Sequence, residues 1–319
     1  MKKKPLFITL DAEGDNGWGR PRNITTLNAQ GVERFQTFCE RLNLKPIYLT
    51  TYEMAQDKTY IETLKKKNID GLCEIGMHMH AWSTPPAYDL TGDDLQNLPF
   101  ITEYPEEIIR KKVENITKHL ENVFGIAPVS HRSGRWIVNQ KYLEILAENG
   151  YKVDCSITPL INWECSIGDP NQRGGENYKN RNSHPEKLTL NNGSILEIPM
   201  TTRSNPLYDN IVVNTGLRLF SKKSRIYNGV SARRIVMLRP IIRNTSFLLN
   251  MIDRLGQDCN VEHMEFIVHT SELFPNTCPH CKNEKDLDAI YDLMGKMFER
   301  LSIYCESMTF REYVNTLKL

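Results

Sequence analysis

Apolar positions along the chain follow two alternating periods. Short runs from Pro5 to Asp11, Lys45 to Thr51, Leu72 to His80, Pro128 to Arg132 and Tyr151 to Ser156 have the length of buried strands. Ile195 to Thr201 and Met264 to Thr270 add two more. Helical spacing fills the intervals at Gly31 to Leu42, Ile61 to Lys67, Asn139 to Asn149 and Leu287 to Tyr304. The longest such pattern before the middle of the chain is Glu106 to Phe124. There Ile108, Ile109, Val113, Ile116, Leu120 and Val123 return at helical intervals, and Gly125 closes the run. Strands alternating with helices over the whole length predict an α/β fold with a parallel sheet, open or closed into a (β/α) barrel. The expected organisation is one domain over 1–319.

Two stretches interrupt the rhythm, at about 160–193 and 203–243. The first is rich in Asn, Gly, Pro and charge and predicts a long irregular excursion of the kind found over active sites. The second carries Arg203, Arg218, Lys222, Lys223, Arg225, Arg233, Arg234, Arg239 and Arg243 against Asp209 alone. It stands out because 40 basic and 39 acidic side chains otherwise balance to a net charge of +1. That balance, with 40% apolar residues, excludes a collagen, a disordered tail and a general affinity for nucleic acid. The segment Arg218 to Arg243 is expected to contact an anionic portion of a substrate, such as a uronic acid or a lipid-linked pyrophosphate.

The apolar stretch before Asp11 is shorter than the roughly 7 to 15 residues of a secretory core, and no run reaches the roughly 18 of a membrane span. The eight cysteines lie mostly singly in apolar segments, so reduced thiols and a cytoplasmic protein are expected. Cys278-Pro279-His280-Cys281 is half of a tetrahedral zinc site without a second CxxC, and it reads as an ordinary loop ahead of a structural zinc site or a redox pair.

Candidate chemistry gathers at strand ends. After the first strand, Asp11 and Glu13 stand two residues apart and project to one side of an extended segment; Asp15 follows. His78 and His80 repeat that spacing at the end of another strand. Two imidazoles on one strand face and a carboxylate from a neighbour form a facial triad that holds a divalent metal and leaves room for water. Parallel sheets collect functional residues at these carboxyl ends. Arg132 beside Gly134, Asp154, and His269 in Phe266-Ile267-Val268-His269 end three further strands.

In this order the residues resemble the polysaccharide deacetylase superfamily, of the carbohydrate esterase family 4 type, across residues 9 to 269. The branch found with surface-polysaccharide loci looks most similar. The resemblance implies a distorted (β/α) barrel, one divalent metal, usually zinc, and hydrolytic removal of an acetyl group from a polysaccharide or its precursor. Carried over by position, it implies Asp11 as the catalytic base, Glu13, His78 and His80 as metal ligands, Arg132 as the residue that orients the base, Asp154 as the fourth-motif acid and His269 as the general acid. Asp154 is expected to be the polar partner of His269. Two positions depart from the commoner pattern: Ala12 stands where a second aspartate is usual, so Glu13 or Asp15 must supply the carboxylate, and Trp82 stands where the second histidine is usual, so either His80 takes its place or the metal site is weakened. The alternatives are another C–N amide hydrolase on the same barrel, or a carbohydrate-binding barrel impaired in turnover.

Overall fold

The computed structural model describes residues 2–172, 174–204 and 235–317. Its strands are β1 (Lys4–Ala12), β2 (Pro46–Thr50), β3 (Glu74–Met79), β4 (Ser130–Ser133), β5 (Val153–Asp154), β6 (Glu186–Leu190), β7 (Gly193–Glu197), β8 (Thr202–Ser204), β9 (Ile235–Met237), β10 (Met264–His269) and β11 (Cys305–Ser307). Its helices are α1 (Val32–Arg41), α2 (Lys58–Ile69), α3 (Asp94–Asn97), α4 (Glu106–Phe124), α5 (Gln140–Glu148), α6 (Thr245–Gln257), α7 (Glu284–Tyr304) and α8 (Phe310–Leu317). The main sheet runs β10-β1-β2-β3-β4-β5-β7-β6, parallel except for the last pair, and β11 joins the start of β1. This is the α/β class the periodicity predicts, and α4 occupies the predicted range with Gly125 at its C-cap in the left-handed region, φ 80°.

The sheet curls until its ends are bridged by a ribbon made of β8 and β9. The Leu238 amide donates to the Thr201 carbonyl and the Leu238 carbonyl accepts from the Ile267 amide, each at 3.0 Å, so the ribbon seals β10 to the far side of the barrel. Residues 205–234, which include Arg218, Lys222, Lys223, Arg225, Arg233 and Arg234, lie outside the described residues. The first irregular stretch is correct only in part: its end, Glu186–Leu190, forms the antiparallel edge hairpin with β7.

Alternation along β1 separates two cores. Leu6, Ile8, Leu10 and Ala12 pack outward against the helices. Phe7 points inward to Ile47, Leu49, Val153, Leu196 and Phe310. The Phe7 and Phe310 rings lie 4.7 Å apart, so α8 closes the amino-terminal end of the barrel with apolar side chains. On the inward face beyond Phe7 come Thr9, Asp11 and Glu13, all buried, and the interior changes from apolar to charged towards the carboxyl ends.

At the apolar end, buried His263 lies 2.8 Å from the Pro199 carbonyl through Nε2. Burial pushes its pKa down to about 4. Because the unfolded chain binds this proton first, near pH 6.5, stability should fall as pH drops from about 6.5 to about 4 and level off below. Denaturant melts of wild type and His263→Gln across that range should differ in pH dependence by roughly 3 kcal/mol, at 1.36 kcal/mol per pKa unit.

Candidate metal centre and active site

The ends of two strands meet around one buried cluster. β3 presents His78 and His80 on its inner face, and β1 continues past its last paired residue to Glu13. The Glu13 Oε2 lies 3.2 Å from His80 Nε2 and 3.8 Å from His78 Nε2. Donor atoms of the three residues lie within 4.8 Å of one another. His78 Nδ1 sits 3.0 Å from the Arg132 carbonyl, which can only accept. The ring therefore carries its hydrogen on Nδ1 and turns the Nε2 lone pair into the cluster, the tautomer a metal ligand needs. The His80 ring stacks on Trp82 at 4.5 Å. Gly134 is required here: a Cβ would come 2.5 Å from the Met79 carbonyl and 2.7 Å from His80 Cδ2. Two imidazole nitrogens and one carboxylate oxygen, buried and convergent, suit a zinc-like divalent cation.

Asp15 is not part of this cluster. Its carboxylate accepts from Thr25 Oγ1 at 2.7 Å, the Leu27 amide at 2.7 Å, and the Asn28 amide and side chain at 3.0 and 2.7 Å. Glu13 is the carboxylate beside the histidines.

Below the cluster, fully buried Arg132 joins three strands. Its guanidinium donates to Asp11 Oδ1, to Glu265, to Thr9 Oγ1 at 2.9 Å and to the Cys155 carbonyl at 3.2 Å. Burial opposes charge on Asp11, but Arg132, His78 and His269 outweigh it and hold its carboxyl at about 2. On Glu265 burial prevails over the same arginine and raises the pKa to about 7. One guanidinium thus serves two carboxyls, and the one facing the cluster keeps the negative charge.

His269 ends β10 in register with Asp11, and its Nε2 stands 3.7 Å from Asp11 Oδ2. Its partner is Glu272, which takes Nδ1 at 3.2 Å and the His269 amide at 3.1 Å. Arg239, from the end of the closing ribbon, donates to both oxygens of Glu272 at 2.9 Å. Burial disfavours the imidazolium, yet the Glu272 hydrogen bond and the charges of Glu13 and Asp11 raise the pKa of His269.

The expected pairing of Asp154 with His269 is therefore wrong. Val153 and Cys155 take the inner face of β5, so Asp154 points outward to the helix layer. There His131, Asp154 and Glu197 stand in register on three adjacent strands. Asp154 lies 2.6 Å from His131 Nδ1 and accepts from Ser156 Oγ at 2.8 Å, while His131 Nε2 meets the Tyr142 hydroxyl at 2.9 Å. Burial and the neighbouring Asp154 charge push Glu197 well above the carboxylate range, so this acid pair holds a proton. Sequence reasoning assigned no role to His131, Glu272 or Glu265, and it gave Arg239, as part of Arg218 to Arg243, to an anionic substrate portion, whereas Arg239 is paired with Glu272. Glu265 had a signal: a lone acid in an apolar strand, on the face that ends in His269.

The cluster opens into a cleft of about 410 Å³ walled by Trp82, Trp136 and Trp163. Buried Cys278 and Cys281 face each other as an antiparallel backbone bridge across the exposed Pro279 and His280, and neither belongs to the three-ligand cluster.

No family model and no curated protein matches the sequence. Solved structures do. A candidate polysaccharide deacetylase from Mycobacterium smegmatis superposes with a TM-score of 0.56 at 16% identity, over 100% of this chain and 93% of that one. The chain has the deacetylase-type barrel fold. A candidate glycoside hydrolase/deacetylase from Parabacteroides distasonis gives 0.59 at 14% identity over 99% and 72% of the two chains. The GH57 branching enzyme of Thermococcus kodakaraensis gives 0.52 at 11% identity over 99% and 71%. The deacetylase-type barrel thus extends to an enzyme that remodels glycosidic bonds, and the reaction has to be read from the site.

If Glu272 sets the charge of His269, Glu272→Gln should lower the His269 pKa by about one unit or more in an NMR titration, and Asp154→Asn should leave it in place.

Proposed function

We propose that this chain is a metal-dependent hydrolase of the polysaccharide deacetylase superfamily that removes an acetyl group from a sugar. The observation that carries the reading is the cluster of His78, His80 and Glu13 with Asp11 beside it and His269 next to Asp11. Glycoside cleavage asks for two carboxyl groups set about 5 to 10 Å apart across the sugar bond. Here Asp11 and Glu13 come from the end of one strand, Glu53 lies 3.9 Å from His80 Nδ1, and histidines take the remaining positions.

A divalent ion held by Glu13, His78 and His80 would polarise the acyl carbonyl and bring water within reach of ionisation at neutral pH. Asp11, fixed through Oδ1 by Arg132, offers Oδ2 to take the proton of the attacking water. His269, charged through Glu272, gives a proton to the departing amine or alkoxide. Acetate and the freed sugar are the products. Burial of Asp11, Glu13, His78 and His80, with His269 partly buried beside them, strengthens these interactions. The tryptophan walls offer aromatic faces to a sugar ring. Eight free thiols support a reducing compartment, and among the described residues no helix is long and apolar enough to cross a membrane. A cytoplasmic precursor of a surface polysaccharide is the substrate setting we favour.

Metal analysis with an acetate-release assay on N- and O-acetylated sugars tests the roles together. Alanine at His78 or His80 should remove both the ion and activity. Asp11→Asn should keep the ion and lose about 10²-fold or more in turnover. Wild type that takes up no zinc, cobalt or nickel and releases no acetate would sink the deacetylase reading and favour a binding barrel.

A further inference from the structure

The cleft beside the candidate metal centre is lined by two arginines that the chemistry above does not use. Arg20 follows a tight turn at Gly17–Gly19, and Arg135 follows β4. Both converge on the end of α3: Arg20 donates to the Gln96 carbonyl and Arg135 to the carbonyl of Leu98, the next residue after the helix. Arg135 also donates to Ser166 Oγ at 2.8 Å and to the Ile167 carbonyl at 2.9 Å, and it lies 4.3 Å over the Phe100 ring. Among the described residues neither guanidinium has a carboxylate within ion-pair distance. Arg239, the third arginine of the cleft, differs in being neutralised by Glu272.

The backbone is shaped to place this charge. Arg135 and Trp136 are consecutive non-glycine residues in the left-handed region, with φ of 60° and 70°. Such strain costs of order 1 kcal/mol or more at each residue and persists only where surrounding contacts enforce it. The result is that Arg135 and Trp136 both line the cleft, next to His80 and Trp82.

We propose that Arg20 and Arg135 form a subsite for an oxyanion carried by the substrate, so that the preferred substrate is an acetylated sugar bearing a carboxylate or phosphoryl group. This proposal rests on the deacetylase reading for the reaction but not for the binding preference. Each guanidinium has five donors, and the hydrogen bonds to carbonyls and Ser166 leave donors on both for a ligand. Bidentate pairing with carboxylate or phosphate is the interaction to which this group is suited. Burial, and then repulsion from Arg20, brings the Arg135 pKa down to about 10, against a smaller opposing influence of Glu103. A bound anion would relieve that repulsion.

Calorimetric titration of the purified, zinc-supplied protein with N-acetylglucosamine, N-acetylglucosamine 1-phosphate and N-acetylmuramic acid tests the idea. One or both anionic sugars should bind at least about tenfold more tightly than the neutral one, and added salt should erode the difference. The arm that wins tells phosphoryl from carboxylate. Arg20→Gln and Arg135→Gln should each reduce the preference to about threefold or less. Should Arg135→Gln unfold because of its three clasps, Arg20→Gln, at an exposed position, decides alone. Equal binding of the three sugars, or a preference that survives the substitutions, overturns the subsite. Acetate release run on the same samples separates the two readings: release without an anion preference leaves the deacetylase standing and ends the subsite, and a preference without release does the reverse.

Discussion

A single buried cation organises the barrel interior. Arg132 has no access to solvent, and an ionised guanidinium taken out of water is tolerated only with its hydrogen bonds filled and its charge matched. Four partners from β1, β10 and the end of β5 meet that demand. Meeting it fixes the relative height of these strands, and that height puts Asp11 beside His269 and both beside the histidines of β3. Removing Arg132 would leave Asp11 and Glu265 as buried acids without a counter-charge, so its loss would alter fold and chemistry together.

The interior is graded along the barrel axis. Phe7 and Phe310 fill the closed end, the Arg132 layer sits in the middle, and the candidate metal ligands face the cleft. Low polarability at the floor strengthens every charge interaction above it, which is how Asp11 and Glu265, sharing one arginine, reach such different protonation states. The helix layer carries its own polar row, His131, Asp154 and Glu197, on the outer face of the sheet.

Much of this was legible in the sequence, and the reasons for the gaps are local. The strand ends at Asp11, His78, Arg132 and His269 were readable because charged residues follow apolar runs. The face on which a residue lies was harder. Asp154 belongs to a strand of two residues, too short for a period to show, although apolar Val153 and Cys155 on either side of it pointed outward for Asp154. The strand Glu186–Leu190 alternates, but only its leucines are apolar and it lies on an exposed edge, so it reads as loop. Glu272 finds His269 from one turn further along the chain, inside a short helical turn that no hydrophobic pattern marks.

The closing ribbon ties the architecture to His269. β8 and β9 are three residues each, joined through 205–234, and Arg239 lies two residues beyond the end of β9. Side chains in a strand change face with every residue, so a slip of β9 by one position would swing Arg239 off Glu272 and leave that carboxylate without its cation. The seam of the barrel is therefore also its tuning point: a single inserted residue between Met237 and Arg239, which both line the cleft, would shift Arg239 and reach His269 through Glu272.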